Sequence, residues 1–97
     1  MKQVQLIWSN KVVLEDTRSM QLDYNLLESF SEEDDTAAPY FGIKITKYLG
    51  DLVETDEVAG VSTSRESVLS ILDKLYQYEV TPISMIEIVD ELVTLGL

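Results

Sequence analysis

The stretch MQLDYNLLESF, residues 20–30, decides the fold, because it reads either as a helix or as a strand. Leu22, Leu26 and Phe30 recur every four residues, the spacing of one helical face. Met20, Leu22, Tyr24, Leu26 and Phe30 also share one side of an extended chain, with Gln21, Asp23, Asn25 and Ser29 opposite. The alternation accommodates more positions than the helical template, so a strand is expected here. If so, the first two-thirds of the chain reads as sheet.

The flanking segments extend that pattern. Residues 40–49, YFGIKITKYL, place Phe41, Ile43 and Ile45 on one face and Lys44, Thr46 and Tyr48 on the other. Gly42 within this run predicts a bulge, or a large side chain crossing that point. Gly50-Asp51 turns the chain into 52–58, a more polar strand suited to a sheet edge. Upstream, residues 2–8 alternate, with Val4, Leu6 and Trp8 opposite Gln3 and Gln5. Ser9-Asn10 reads as a turn, 11–15 (KVVLE) as a return strand, and Asp16-Thr17-Arg18-Ser19 as a second connection. The sum is about five strands, arranged as two hairpin-like units.

Beyond Gly60 the period becomes helical. Thr63-Ser64-Arg65-Glu66 has the form of a capping box, predicting a helix over 64–78 that buries Val68, Ile71, Leu72 and Leu75. Glu79-Val80 interrupts it. Thr81-Pro82 offers an N-cap followed by proline at the first helical position, and Ser84 with Glu87 offers a second start one turn later. The last helix carries Ile83, Ile86, Val89 and Val93, with Met85, Ile88, Leu92 and Leu95 beside them. That stripe is wider than one packing face needs. Gly96 is a fitting stop. Strands followed by helices define an α+β class: an antiparallel sheet with two C-terminal helices packed on one face.

The chain has 97 residues, 45% of them hydrophobic, which fits a single domain spanning 1–97 with one core. It has no cysteine, so disulfides and thiolate metal sites are excluded. The N-terminus shows no signal-peptide pattern and no stretch is long enough to span a bilayer, so the cytoplasm is the expected compartment. The net charge of −11 disfavours nucleic-acid backbone and anionic membrane as partners. Spread over a surface on the order of 5,600 Å², the excess charges lie about 20 Å apart, beyond the roughly 8 Å screening length. The charge then serves mainly solubility.

Few residues point to chemistry. Glu32-Glu33-Asp34-Asp35 lacks the alternating oxygens, the turn glycine and the twelfth-position glutamate of a calcium loop, and reads as a solvated bend. Asp51, Glu54, Asp56 and Glu57 form a second acidic patch, with Glu54 and Asp56 on one strand face. Like charges there favour exposure over an acid/base pair. With no histidine and no cysteine, the usual nucleophile–base pairs are missing. Ser62, Thr63 and Ser64 are accounted for by capping, and Gly42, Gly50, Gly60 and Gly96 have no phosphate-cradling spacing. Trp8, Tyr76 and Tyr78 are either half-buried core or interface anchors. No catalytic, cofactor-binding or metal-binding residue is expected.

Tyr40-Phe41-Gly42-Ile43-Lys44-Ile45, the turn after it, the Thr63-x-x-Glu66 start and Val80-Thr81-Pro82 before Ile88-Val89-Asp90-Glu91-Leu92 occur in that order. Together they resemble a small uncharacterised family from clostridia-like bacteria, the Firmicutes. The resemblance covers about residues 20 to 93. It implies a compact bacterial cytoplasmic domain of unknown function, with no catalytic residue to carry over. The expected role is a non-enzymatic protein-interaction or regulatory module that meets a protein partner or a second copy through the sheet edge or the last helix. The alternatives are an acidic mimic of nucleic acid and, behind it, a carboxylate-based enzyme.

Overall fold

The computed structural model describes residues 2–30 and 39–95. Four strands, β1 (Lys2–Val13), β2 (Ser19–Ser29), β3 (Tyr40–Leu49) and β4 (Leu52–Ser62), are followed by helices α1 (Arg65–Gln77) and α2 (Pro82–Thr94). The strands lie in sequence order and every pair is antiparallel. The class is the expected α+β, but among the described residues the sheet has four strands and not about five.

The difference arises at Ser9-Asn10, which do not turn. β1 runs through them without a break, and the Ser9 hydroxyl donates to Asp23 of the neighbouring strand at 2.8 Å. A bulge does occur in β1, one turn's worth of pattern earlier. Leu6 pairs with Asn25 and Trp8 with Tyr24, leaving Ile7 as an extra residue. An extra residue exchanges the two faces of a strand. Trp8 therefore comes to the helix-covered side while Val4 and Leu6 lie on the open side, opposite Leu27 and Asn25, which corrects the expected common face for all three.

β2 is a strand, and Met20, Leu22, Tyr24 and Leu26 are its buried face. Phe30 falls beyond its end and is exposed. Phe41, Ile43 and Ile45 of β3 continue that face. At Gly42 the expected bulge is present in the partner strand. Phe41 pairs with Ser62 and Ile43 with Val58, so three residues of β4 oppose one glycine. A methyl group at Gly42 would collide with the backbone carbonyls of Val58 and Ala59. β4 is an edge strand, as its polarity implies, and it persists past Gly60 to Ser62.

The connections use local chemistry. Between β1 and β2, the Leu14 N–H donates to the Arg18 carbonyl and the Thr17 N–H to the Leu14 carbonyl, while Thr17 takes a left-handed conformation, φ 71°. Asp16 accepts from the Arg18 backbone N–H, its carboxyl held below the ordinary value chiefly by that bond. Gly50, φ 58°, makes the β3–β4 turn. The residues 31–35 that carry the first acidic cluster, and Gly96, lie outside the described residues.

Both helices cover one face of the sheet. α1 crosses it, chiefly over β2 and β1, and α2 lies against β4 and β3. The core joins Leu22, Tyr24, Ile43 and Ile45 to Val68, Ile71, Leu72 and Leu75 of α1 and to Val80, Met85 and Val89. The four α1 residues are those that the helical period selects. The opposite face is polar at its centre, where Gln21 donates to Asp23, Asn25 to the Lys44 carbonyl, and Thr46 and Thr55 bond each other.

Candidate functional site

The acidic patch on β4 does not assemble into a reactive pair. Glu54 and Asp56 do share a strand face, two residues apart, paired with Lys47 and Ile45 of β3. Glu54 lies 3.7 Å from Lys47, and that contact offsets its charge. Asp56 accepts the backbone N–H of Glu57 at 2.9 Å. Among the described residues, no group of three or more carboxylates is placed to hold a metal ion. A depression of about 290 Å³ lies at the turn end of the sheet, lined by Lys11, Ser19, Met20, Gln21, Tyr48 and Gly50. No described carboxylate lines it, so it offers no acid/base pair.

The three aromatic candidates part company. Trp8 stacks on Tyr76 with ring centroids 4.8 Å apart, and Tyr76 meets the edge of Tyr24 at 6.1 Å. Tyr24 is fully buried and its hydroxyl donates to the Val80 carbonyl at 3.0 Å. This chain of rings ties β1 and β2 to the α1–α2 junction. Burial, with the Glu79 charge second, pushes the Tyr24 phenol above its ordinary value of 10.0. Tyr78 takes no part and projects into solvent. Two of the three are structural, and Tyr24, not singled out from the sequence, is the anchor they serve.

The cap of α1 also sits one residue later than the capping-box pattern implied. Ser64, not Thr63, is the N-cap, accepting the Ser67 N–H at 3.2 Å, while the Ser62 hydroxyl accepts the Ser64 N–H. For α2 the Thr81-Pro82 start is the one used, with no side-chain bond from Thr81.

Exposed large apolar residues occur on the sheet, at Val4, Leu6, Val13 and Val53, and on the outer face of α2, which holds the most exposed of them, Ile83. Met85 and Val89 are buried, yet Ile83 is 82% exposed, and Ile86 and Val93 are each about half exposed. Ile83, Ile86, Asp90 and Val93 follow steps of three, four and three residues, which is one row on a helix. Leu95 extends the apolar surface beyond the last turn. Glu87, Asp90 and Glu91 lie exposed in and beside the row, and none has an ion-pair partner among the described residues.

The topology also sorts charge. Residues 51–62 and 79–95, which form β4, α2 and their approaches, hold eight carboxylates and no base. β1 contains no carboxylate, and Lys11, Arg65 and Lys74 belong to β1 and α1. The apolar row therefore lies where α2 and β4 carry carboxylates and no base of their own, with Lys47 of the adjoining β3 facing Glu54.

Residues 3–95 match the model of a family of unknown function (DUF6514). The chain belongs to that family. The matched span takes in β1 as well as the segment from β2 to α2 on which the resemblance rests, so the α2 row lies within it. No curated protein and no solved structure matches the chain. Among the described residues no helix is long and apolar enough to cross a membrane.

Proposed function

We propose that this chain is a small non-enzymatic protein-interaction or regulatory module, and that the outer face of α2 is its contact surface. The observation that carries this reading is the exposed row Ile83, Ile86 and Val93 on a helix whose core duties are met by other residues. Exposed apolar residues grouped on one helix face, rimmed by polar residues, mark a contact. The resemblance to a family from clostridia-like Firmicutes supports a bacterial and cytoplasmic setting. In that setting the occupant is another protein or a second copy of the chain.

The test compares the wild-type chain with an Ile83→Ser, Ile86→Ser double variant as bait in native-cell extract, with light scattering on both. A partner or a dimer held by the wild type and lost by the variant supports the reading. Identical behaviour of the two proteins removes it.

The acidic mimic of nucleic acid draws support from the carboxylates of β4 and α2. A mimic presents anions where phosphates would lie, and the α2 row presents isoleucines at those places. Salt separates the two readings: contact through the apolar row survives about 0.5 M salt, where the screening length falls to a few ångströms, and mimicry does not.

A further inference from the structure

We infer that the outer row of α2 receives a basic amphipathic segment of another protein and not a second copy of this chain. The inference rests on α2 being the contact face, and it names the occupant. Its centre is Asp90, the one charged member of the row Ile83–Ile86–Asp90–Val93.

Consider two copies of α2 packed through this row. In the antiparallel arrangement Ile83 meets Val93 and Asp90 meets Ile86 of the other copy. Two carboxylates are then taken out of water with no cation facing either. In the parallel arrangement Asp90 faces Asp90. A buried charge without a partner is strongly unfavourable, and a like pair more so. Glu87 and Glu91 beside the row add to the repulsion. No base exists anywhere from residue 75 onward, and β4, on which α2 lies, adds further carboxylates.

A partner that brings lysine or arginine meets each of these demands. Its apolar residues cover Ile83, Ile86 and Val93, and one base pairs with Asp90 in the middle of the contact. Flanking bases face Glu87 and Glu91. Apolar anchors laid along a row at helical spacing are the pattern of a helix seated against a helix. The acidic field of the β4–α2 side also steers a basic segment toward this face.

The 97-residue chain is titrated by calorimetry with three synthetic peptides of roughly four helical turns. The first carries leucine at helical spacing flanked by lysine. The second replaces each lysine with glutamate, and the third scrambles the first so that no apolar face forms. Only the first is expected to bind. Asp90→Lys should weaken it roughly tenfold or more, as loss of a partner from a buried charge pair does. Glu66→Lys, which changes the net charge equally on exposed α1, should weaken it far less. In light scattering the wild type is a monomer, and Asp90→Leu, which completes the apolar row, is a dimer.

Binding of the scrambled peptide, or equal losses from the two lysine variants, would overturn the inference. A wild-type dimer that Ile86→Ser dissociates would overturn it too, while leaving α2 as the contact face. A monomer that binds no peptide in any variant would sink both.

Discussion

The two helices are of equal length, thirteen residues each, and they are built for different ends. α1 opens on a bonded serine cap, keeps Lys74 in its last turn, and buries Val68, Ile71, Leu72 and Leu75 while showing solvent Arg65, Glu66, Ser70 and Gln77. It ends with the Val80 N–H on the Leu75 carbonyl and the Glu79 N–H on the Tyr76 carbonyl, the paired bonds of a Schellman motif. α2 opens on a threonine that bonds nothing with its side chain, has no acid in its first turn and no base in its last, and shows solvent Ile83, Ile86 and Val93. Folding accounts for every outward choice in α1. It does not account for those in α2, where β-branched residues occupy exposed positions that lysine or glutamate would fill with better helix propensity. The difference locates the surplus.

The strongest way to break the contrast is in the core. Leu72→Ala in α1 should cost about 3 kcal/mol, since Leu72 is fully buried between the sheet and the helix and leaves a cavity. At this chain length that lowers Tm by roughly 15 °C, read by thermal denaturation. A loss below 1 kcal/mol would mean that α1 does not close the core.

Tyr24→Phe comes next. It removes the hydroxyl that satisfies the Val80 carbonyl at the junction of the two helices and should cost about 1 to 2 kcal/mol, read in urea. A pH signature accompanies it. The folded Tyr24 phenol lies above the unfolded value of 10.0, so the folded state holds its proton more tightly. Its contribution is complete below pH 10 and is lost as the pH climbs from there toward the folded value. The variant should therefore lose stability less steeply than the wild type above pH 10. Parallel alkaline limbs would show that burial of the ring does not set its titration.

Glu79→Gly should act in the other direction. Glu79 holds φ 53° at the position where a Schellman motif ordinarily has glycine. Relief of the left-handed strain is worth about 1 kcal/mol, partly offset by the added freedom of the unfolded chain. Glu79→Ala separates strain from charge: it keeps a Cβ and should gain little. Equal gains from both would assign the effect to the removed carboxylate at the α1 C-terminus.

These residues also show what could be read from the chain and what could not. Alternation exposed β2 and β3, and the helical period chose the four buried residues of α1, because both patterns record a face turned toward one core. The β1 bulge left no such record. Ile7 is an ordinary strand residue, and only its pairing with β2 shows that it is extra, so Ser9-Asn10 passed for a turn. Thr17 and Glu79 were equally opaque, since each stands where glycine would have marked the turn. The excess width of the α2 stripe was legible from Ile83 to Leu95. Which members stay outside was not, because that depends on α2 lying at the β4 side with α1 beside it. The base-free segments 51–62 and 79–95 are visible in the chain, but only the topology lays α2 against β4 and so joins them into one side.

The smallest expected effect is the most informative. Ile83→Ser and Ile86→Ser remove two large apolar side chains from a helix of the folded domain, and by composition alone they rank with Leu72→Ala. Ile83 is 82% exposed and Ile86 about half, so little buried apolar surface is lost at the first and a moderate amount at the second. Serine differs little from isoleucine in helix propensity. The stability change should stay within about 0.5 kcal/mol at Ile83, as is usual for surface positions, and below about 1 kcal/mol at half-exposed Ile86. A loss near that of Leu72→Ala would place the row inside a contact already made in the isolated protein, which a concentration-dependent Tm would then reveal. A null result leaves the isoleucines without a part in folding, which is the outcome that the proposed contact through α2 requires.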